Sequence, residues 1–191
     1  MPIIRSIVEL AHEYLSRVVL PGDIVIDATV GNGGDTAVLC RLVGENGRVY
    51  GFDIQEEALK AASRYLAEQK LLDRTELIAA GHEHIKEYVK TPIKAVIFNL
   101  GYLPGGDHGV ATEAETTITG IEQGLELLVS GGLMAVAVYW GHPQGEKEKN
   151  ALADFLRKPK MRSWQVMEIS LPNREKAPCL LIIEKKEKGT A

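Results

Sequence analysis

The sequence contains no apolar run approaching the roughly 18 residues that a membrane-spanning helix requires. Its two cysteines, Cys40 and Cys179, lack the paired spacing of a zinc site or a disulfide framework. The five histidines form no metal-ligand pattern such as H-E-x-x-H on a helix. We therefore expect a cytoplasmic protein with buried thiols, without a membrane span and without a metal centre.

Basic residues are scarce in most of the chain. Residues 1–140 contain 11 lysines and arginines against 19 acidic residues, whereas residues 141–191 contain 11 against 7. A polyanionic partner would therefore have to be held by cations near the C-terminus that are gathered on one surface. The candidates are Arg157, Lys158, Lys160, Arg162, Arg174 and Lys176. The tail "EKKEKGT" is more typical of a solvated chain end than of a binding arm.

Strand-like and helix-like segments alternate along the chain. A first helix is predicted within residues 1–20, where "SIVELAHEYLSRVV" has apolar residues at helical spacing. β-Branched runs then alternate with helix-forming stretches, which predicts a parallel sheet covered on both faces. Only seven residues separate "WQVMEISL" from "CLLIIEK", too few for a crossover helix, so this last pair should be antiparallel. We predict one α/β domain over residues 1–191, with a flexible tail at 185–191.

Ligands of such a sheet collect beyond the carboxyl ends of its strands. The first strand runs into "DATVGNGGDT", where glycines let the backbone approach a ligand closely. A nicotinamide-binding turn would read G-x-G-x-x-G, but the sixth position here is Thr36. Asp27 would also repel a pyrophosphate, whereas it suits a cofactor with a cationic amino acid end. S-adenosylmethionine has such an end, and its ribose diol could donate hydrogen bonds to Asp53 after the second strand.

Seven sequence blocks carry a closer resemblance to a known family. They are "DATVGNGGDT", "VYGFDIQ", "GHEHI", "NLGYLPGGDH", "ETTITGIEQGLELL", "YWGHPQGEKE" and "LLIIEK". In order and spacing they resemble the bacterial rRNA methylase family, which is associated with methylation of 5-aminomethyl-2-thiouridine at the tRNA wobble position. The resemblance covers almost the whole chain. It implies a Rossmann-like class I methyltransferase with seven strands, mostly parallel, the last one antiparallel.

The same resemblance implies an S-adenosylmethionine site. Its residues follow the first four strands, in the places where this fold contacts the amino acid end, the ribose and the adenine of the cofactor. The predicted cofactor-binding set is Asp27, Thr29, Gly31, Asn32, Gly33, Asp35, Thr36, Asp53, Ile54, Gln55, Gly81, His82, Glu83 and Asn99. For His82 and Glu83 the alternative is the start of a surface helix, where acidic residues are common.

The stretch "AVIFNLGYLPGGDH" reads as a buried strand that ends on Asn99 and continues as a glycine-rich loop. N-methyltransferases that act on exocyclic nitrogen often carry Asp or Asn and an aromatic residue at this place, and "NLGY" is similar. The resemblance implies that the Asn99 amide oxygen and the Leu100 carbonyl orient the target nitrogen beside Tyr102. Gly105 and Gly106 would leave room for the substrate. The alternative is that Asn99 caps the strand and the glycines turn the chain.

Aromatic and basic residues near the fifth strand complete the predicted substrate site. An aromatic ring there could stack on a base splayed from a single-stranded loop, although core packing is a close alternative for Trp140. Thr116 belongs to a helix that would face the target pocket, and an exposed helix surface explains it equally well. The predicted substrate-binding set is Gly105, Gly106, Thr116, Tyr139, His142, Arg174 and Lys176.

These features together predict a methyltransferase that uses S-adenosylmethionine on the primary amine of a modified wobble uridine in tRNA. The expected partners are the tRNA anticodon loop and, by the resemblance, a second copy of the chain in a homodimer. The same cofactor turn and the same Asn99 would also serve methylation of rRNA, of a small-molecule amine or of a protein amide. A non-catalytic module that binds S-adenosylmethionine is a further alternative.

Overall fold

The computed structural model describes residues 5–101, 113–141 and 143–186. Its helices are α1 (Ile7–Ser16), α2 (Gly34–Val43), α3 (Glu56–Glu68), α4 (Ile85–Tyr88), α5 (Ala114–Leu127) and α6 (Pro143–Leu156). Its strands are β1 (Ile24–Asp27), β2 (Arg48–Asp53), β3 (Thr75–Ala79), β4 (Ile93–Leu100), β5 (Leu128–Val138), β6 (Trp164–Ile169) and β7 (Cys179–Lys185). Short 3-10 turns occupy Leu72–Arg74, His82–His84 and Pro159–Ser163.

The strands form one sheet in the order β3-β2-β1-β4-β5-β7-β6. β7 is antiparallel to both of its neighbours, β5 and β6, and the other pairs are parallel. The predicted fold class and the antiparallel last pair are therefore confirmed. The chain builds outward from β1 to β3 and then crosses to β4, so the strand order reverses between β1 and β4. Doubly wound sheets bind their ligands at such a switch point.

Each face of the sheet has its own hydrophobic core. Ile26 and Phe98 belong to the core that α4, α5 and α6 cover. Val25 and Ile97 belong to the core on the opposite face, covered by α1, α2 and α3. The division follows from the alternation of side chains along a strand, which sends neighbouring residues to opposite faces.

The first helix is placed by its cap and by its apolar face. Ser6 and Glu9 form a capping box at the start of α1, which satisfies backbone N–H groups that the first turn leaves unpaired. Ala11 and Leu15 are fully buried against the sheet. Their burial orients the helix so that His12, beside Ala11, reaches the first turn of α2.

The start of β5 departs from the prediction. The sequence predicts a helix through Val129 and a strand from Gly132, but β5 already begins at Leu128. Its pairing with β4 is irregular there, because Leu128 lies opposite Ile93 and Leu133 opposite Ala95. Gly131 has a φ of 67° and its carbonyl accepts the Lys94 ammonium at 3.0 Å. Gly131 and Gly132 therefore lie at an irregularity within β5.

The two cysteines are free and buried, as predicted, and burial raises the pKa of both thiols. In the parts of the chain that the structure describes, no helix combines the length and the apolar character needed to cross a bilayer.

Candidate functional site

The carboxyl ends of the central strands bring the predicted polar residues to one edge of the sheet. Asp27, the last residue of β1, lies level with Gly51 of β2 and Ile97 of β4. Asp53 and Asn99 each come two residues beyond that level. Side chains that are far apart in sequence therefore meet around the switch point.

The glycine-rich turn after β1 requires its glycines for conformation and for space. Gly31 and Gly33 have φ values of 50° and 84°, which side chains rarely tolerate. A Cβ at Gly33 would also lie 3.0 Å from the Cβ of Ala62 on α3. Asn32 is exposed between them. The turn therefore presents backbone on its outer side while α3 closes its inner side.

Asp27 lies behind this turn and is fully buried. Its carboxylate accepts the Thr29 N–H at 3.1 Å and the Thr36 hydroxyl at 2.6 Å. Burial, and then the neighbouring charge of Asp35, raise the pKa of Asp27 to about 7. The carboxylate therefore ties the end of β1 to the start of α2. Its predicted role toward the cationic end of the cofactor remains a prediction.

Asp53 is half-buried at the end of β2 and supports the turn from the other side. One of its oxygens accepts the Gly31 N–H at 2.8 Å and the other accepts the Gln55 N–H at 2.9 Å. A carboxylate oxygen has two lone pairs, so each oxygen can take a second donor. Beside it, Ile54 is 61% exposed and presents apolar surface to solvent.

The turn after β3 buries one histidine. His82 is only 7% exposed and its ring lies edge-on to Phe98, with centroids 5.4 Å apart. Burial lowers the pKa of this imidazole. Within the described ranges its Nε2 has no hydrogen-bond partner. The Glu83 carboxylate folds back over Gly81, where a Cβ would collide with it. His82 begins a helical turn, as the alternative interpretation predicts, but it is an interior residue and not a surface one.

Asn99 is held at two points at the end of β4. Its backbone N–H donates to the Thr29 hydroxyl at 2.8 Å, and its side-chain Nδ2 donates to Asp35 Oδ2 at 3.2 Å. Neither bond uses the amide oxygen. The carbonyl oxygen of Leu100 accepts the Tyr139 N–H at 3.2 Å, which leaves its second lone pair for another donor.

His12 is a site residue that the sequence does not single out. Its Nε2 lies 2.7 Å from Asp35 Oδ1, so the second oxygen of the carboxylate that holds Asn99 is also occupied. His12 and Asp35 are 23 positions apart, on different helices. The only indication in the sequence is the spacing of apolar residues along α1, which places His12 next to the buried Ala11.

No three His, Cys, Asp or Glu side chains among residues 5–101, 113–141 and 143–186 are grouped to hold a metal ion. The described residues offer hydrogen bonding and positioning. The groups are the amide oxygen of Asn99, the carboxylates of Asp27 and Asp53, which are bonded to backbone N–H groups, and the backbone of the glycine-rich turn.

Comparison with known proteins places this arrangement in a family. The model of the family described as "Putative rRNA methylase" matches residues 49–185. The chain belongs to this rRNA methylase family. Over 96% of its length it is 34% identical to the chloroplastic tRNA (mnm(5)s(2)U34)-methyltransferase of Arabidopsis thaliana, of which 70% is covered.

Solved structures of similar proteins have the same fold. An rRNA-methylase structure from Clostridium thermocellum superposes with a TM-score of 0.94 at 43% identity, covering 96% of this chain and 100% of that one. SMU.1697c from Streptococcus mutans, a methyltransferase in complex with SAH, gives a TM-score of 0.87 at 40% identity, covering 96% and 99%.

Tyr139 directly follows β5, and its N–H pairs it with Leu100 at the end of β4. Its ring is 38% exposed and close to Gly101, where a Cβ would lie 3.5 Å from the Tyr139 Cβ. Partial burial and the charge of Asp35 raise the pKa of its hydroxyl. Tyr139 and Asp35 therefore border the same space. Trp140 is part-buried against the core, with the Lys149 ammonium 3.7 Å from its ring centroid, which favours the packing interpretation.

The hydroxyls of Thr116 and Thr117, on α5, both have hydrogen-bond partners within the protein. The Thr116 hydroxyl donates to the Glu113 carbonyl at 3.0 Å within the first turn. Thr117 is fully buried and donates to Glu148 of α6 at 2.5 Å. Thr117 thus joins the two helices, and a substrate role for Thr116 stays a prediction. Four predicted residues lie outside the described ranges: Tyr102, Gly105, Gly106 and His142.

The predicted basic surface is divided between two ends of the sheet, so the expectation that its cations share one surface is wrong. Arg174 and Lys176 are exposed in the turn between β6 and β7, beside the carboxyl end of β5. A Cβ at Gly141 would lie 3.7 Å from the Lys176 carbonyl. The other four, at residues 157–162, precede β6 at the opposite edge, because α6 runs back along the sheet.

Proposed function

We propose that the chain is an S-adenosylmethionine-dependent methyltransferase that methylates the primary amine of 5-aminomethyl-2-thiouridine at the wobble position of tRNA. The observation that carries the proposal is Asn99 at the switch point, with its backbone held by Thr29 and its side-chain nitrogen by Asp35. The similarity to the Arabidopsis tRNA methyltransferase over almost the whole chain supports this choice of substrate.

The residues after β1 and β2 fit the cofactor. Asp53 retains free lone pairs for a ribose diol while its backbone bonds hold it in place. Ile54 offers exposed apolar surface to the adenine. The Asp53 carboxylate, at the end of β2, gives this side of the site a negative potential that suits the amino group and the sulfonium. When bound, S-adenosylmethionine supplies a methyl group already activated on sulfur.

The chain's own residues position the acceptor. The Asn99 oxygen accepts an N–H of the neutral amine and directs the nitrogen lone pair toward the methyl carbon. The cofactor would supply the methyl group to the amine nitrogen and keep the electron pair of its carbon–sulfur bond on sulfur, and the methylated amine would release its extra proton to solvent. An amide suits this task because it does not hold the amine as ammonium, as a carboxylate would. Positioning is the main requirement of such a transfer.

The acceptor side can hold an RNA loop. The half-exposed ring of Tyr139 is available to stack on the wobble base beside Asn99. Arg174 and Lys176 are exposed cations next to that end of the sheet and are suited to anticodon-loop phosphates.

A homodimer in the cytoplasm is also part of the proposal. The edge strand β6 exposes Val166 and Met167, which line a groove of about 450 Å³ together with Tyr14 of α1 and Val18, which follows α1. A second copy of the chain would cover this apolar surface. Sedimentation equilibrium should give the mass of a dimer, and a monomer at micromolar concentration would contradict this assignment.

The substrate is tested by transfer of a radiolabelled methyl group from S-adenosylmethionine. The acceptors are tRNA that carries 5-aminomethyl-2-thiouridine without its methyl group, ribosomal RNA, bulk protein and a small primary amine. We expect label in tRNA, in a nucleoside that co-elutes with 5-methylaminomethyl-2-thiouridine. Label found only in rRNA, only in protein or only in the small amine would identify that acceptor as the substrate in place of tRNA. Cofactor binding with no transfer to any acceptor would indicate a non-catalytic module.

A further inference from the structure

The orientation of the Asn99 side-chain amide is set by a neighbouring residue. The contact that fixes it comes from Asp35, in the first turn of α2, and Asp35 is held in turn by His12 of α1. The side chains of Asp35 and His12 are 11% and 23% exposed, so these contacts are largely shielded from solvent. Three separate elements meet there.

The chemistry of Asp35 decides which way the amide faces. An ionised carboxylate only accepts hydrogen bonds, so the group that faces it must be the Asn99 Nδ2 and not Oδ1. A flipped amide would set its oxygen against the carboxylate and lose the bond. The Thr29 hydroxyl meanwhile fixes the backbone of Asn99 at 2.8 Å. With the backbone and the side-chain nitrogen both held, the amide oxygen faces away from Asp35.

His12 restricts Asp35 in the same manner. Its Nε2 lies 2.7 Å from Oδ1, while Oδ2 receives Asn99, so both carboxylate oxygens are engaged and the side chain has little freedom to rotate. The requirement for two acceptors on one residue explains a carboxylate here, because an asparagine offers only one acceptor oxygen.

We propose that Asp35 and His12 are positioning residues for methyl transfer: they hold the Asn99 amide with its oxygen toward the acceptor, and thereby select an acceptor nitrogen that carries a hydrogen. This inference rests on the proposed function and extends it. It gives Asp35 a role in orienting the acceptor, whereas the sequence analysis predicts that Asp35 binds the cofactor. It also gives His12 a role that the sequence does not predict. Ring nitrogens without a hydrogen would meet the lone pairs of that oxygen and be disfavoured.

The test is a mutant cycle on single-turnover methylation of tRNA at saturating cofactor. Asp35→Ala should slow transfer by about tenfold to a hundredfold, because the acceptor is no longer aligned. In an Asn99→Ala background the same substitution should cost nothing further, because its target is gone. Asp35→Asn, which keeps one acceptor oxygen, should recover part of the rate. His12→Ala should have a smaller effect than Asp35→Ala, and His12→Gln a smaller one still.

Two controls separate positioning from other roles. Glu13→Gln, on the same helix, removes a carboxylate that pairs with Arg5 and Arg17 at the surface and should leave the rate unchanged. Calorimetry with S-adenosylmethionine should show affinity within about twofold of native for Asp35→Ala. Equal losses in the native and Asn99→Ala backgrounds, or a loss of cofactor affinity that accounts for the rate, would overturn the inference.

A second measurement is independent of the substrate. In the native protein, the side-chain amide hydrogen of Asn99 that faces Asp35 should exchange slowly with solvent by NMR. It should exchange rapidly in Asp35→Ala. Equal exchange in the two proteins contradicts the contact whatever the acceptor is. Slow exchange in a protein that methylates no tRNA would leave the positioning intact while the proposed substrate fails.

Discussion

The proposed cofactor side and the proposed acceptor side of the site differ in the groups that line them. On the cofactor side, backbone groups and buried carboxylates dominate: Asp27 is fully buried, and Asp53 holds the backbone of the glycine-rich turn. On the acceptor side, half-exposed side chains dominate, with Asn99 and Tyr139 at strand ends and Arg174 in an exposed turn. Substitutions on the first side should therefore disturb folding or cofactor binding, whereas those on the second should change transfer and RNA binding alone.

Asn99→Ala should show the largest effect and should separate the two sides. Single-turnover methylation of tRNA should slow by about a hundredfold or more, because the acceptor amine loses its alignment. Cofactor affinity and the free energy of unfolding should stay close to native, since the Thr29 contact uses the backbone, which the substitution keeps. Rapid-quench kinetics and calorimetry measure the two quantities. Equal losses in rate and cofactor affinity would remove the distinction between the sides.

Asp27→Asn should change stability in a pH-dependent way. Burial, and then the charge of Asp35, raise the pKa of Asp27 from 3.8 to about 7 in the folded protein. Between these values the folded state binds more protons than the unfolded state, so the Asp27 contribution to the free energy of unfolding falls as pH rises from about 4 to about 7.

The asparagine variant lacks this titration and can keep one bond to Thr29 and one to Thr36. Relative to native, it should gain on the order of 2 kcal/mol between pH 5 and pH 8. Urea unfolding of both proteins at the two pH values measures the difference, in which the other carboxylates cancel. A difference that is constant with pH would show that Asp27 is ionised in the folded protein throughout this range.

Asp53→Ala should weaken the cofactor site from its outer edge. The substitution removes the proposed ribose contacts and frees the N–H groups of Gly31 and Gln55. Because hydrogen bonds to charged groups contribute about 1.5–3 kcal/mol each, affinity for S-adenosylmethionine should fall at least about tenfold. Glu56→Ala, an exposed carboxylate that pairs with Lys60 at the start of α3, is the matched control. Unchanged affinity in Asp53→Ala, or tighter binding of NADH than of S-adenosylmethionine to native protein, would refute the assignment.

The alternation of strands and helices along the chain, and the strand ends at which Asp27, Asp53 and Asn99 lie, could be predicted from sequence. Hydrophobic runs separated by helix-length segments define a parallel sheet, and parallel strands place their carboxyl ends at one edge. Seven residues between the last two strands fixed their antiparallel pairing. These inferences depend on local patterns and on chain length, which the sequence states directly.

Contacts that depend on tertiary packing could not be predicted. The pair formed by His12 and Asp35 needs the position of α1 over α2, and no local pattern relates residues 23 positions apart on different helices. The burial of His82 reflects the close approach of α5, where a Cβ at Gly120 would collide with its ring. The division of the basic residues follows from the path of α6, which a count of charges does not contain.

The separation of the basic residues between two ends of the sheet provides the smallest and most specific test. Replacing Arg174 and Lys176 together with glutamine should flatten the slope of log tRNA affinity against log salt by about one to two units, since each phosphate contact contributes about 0.7 to 0.9. The matched control is the double replacement of Arg157 and Lys158, which removes the same charge at the opposite edge of the sheet and should leave the slope unchanged, because distant exposed charges are screened. Tyr139→Ala should cost about 1–3 kcal/mol of tRNA binding without altering the slope, as expected for a lost stacking surface. Equal flattening by both double variants would mean that net charge, and not a contact at the site's rim, attracts the RNA.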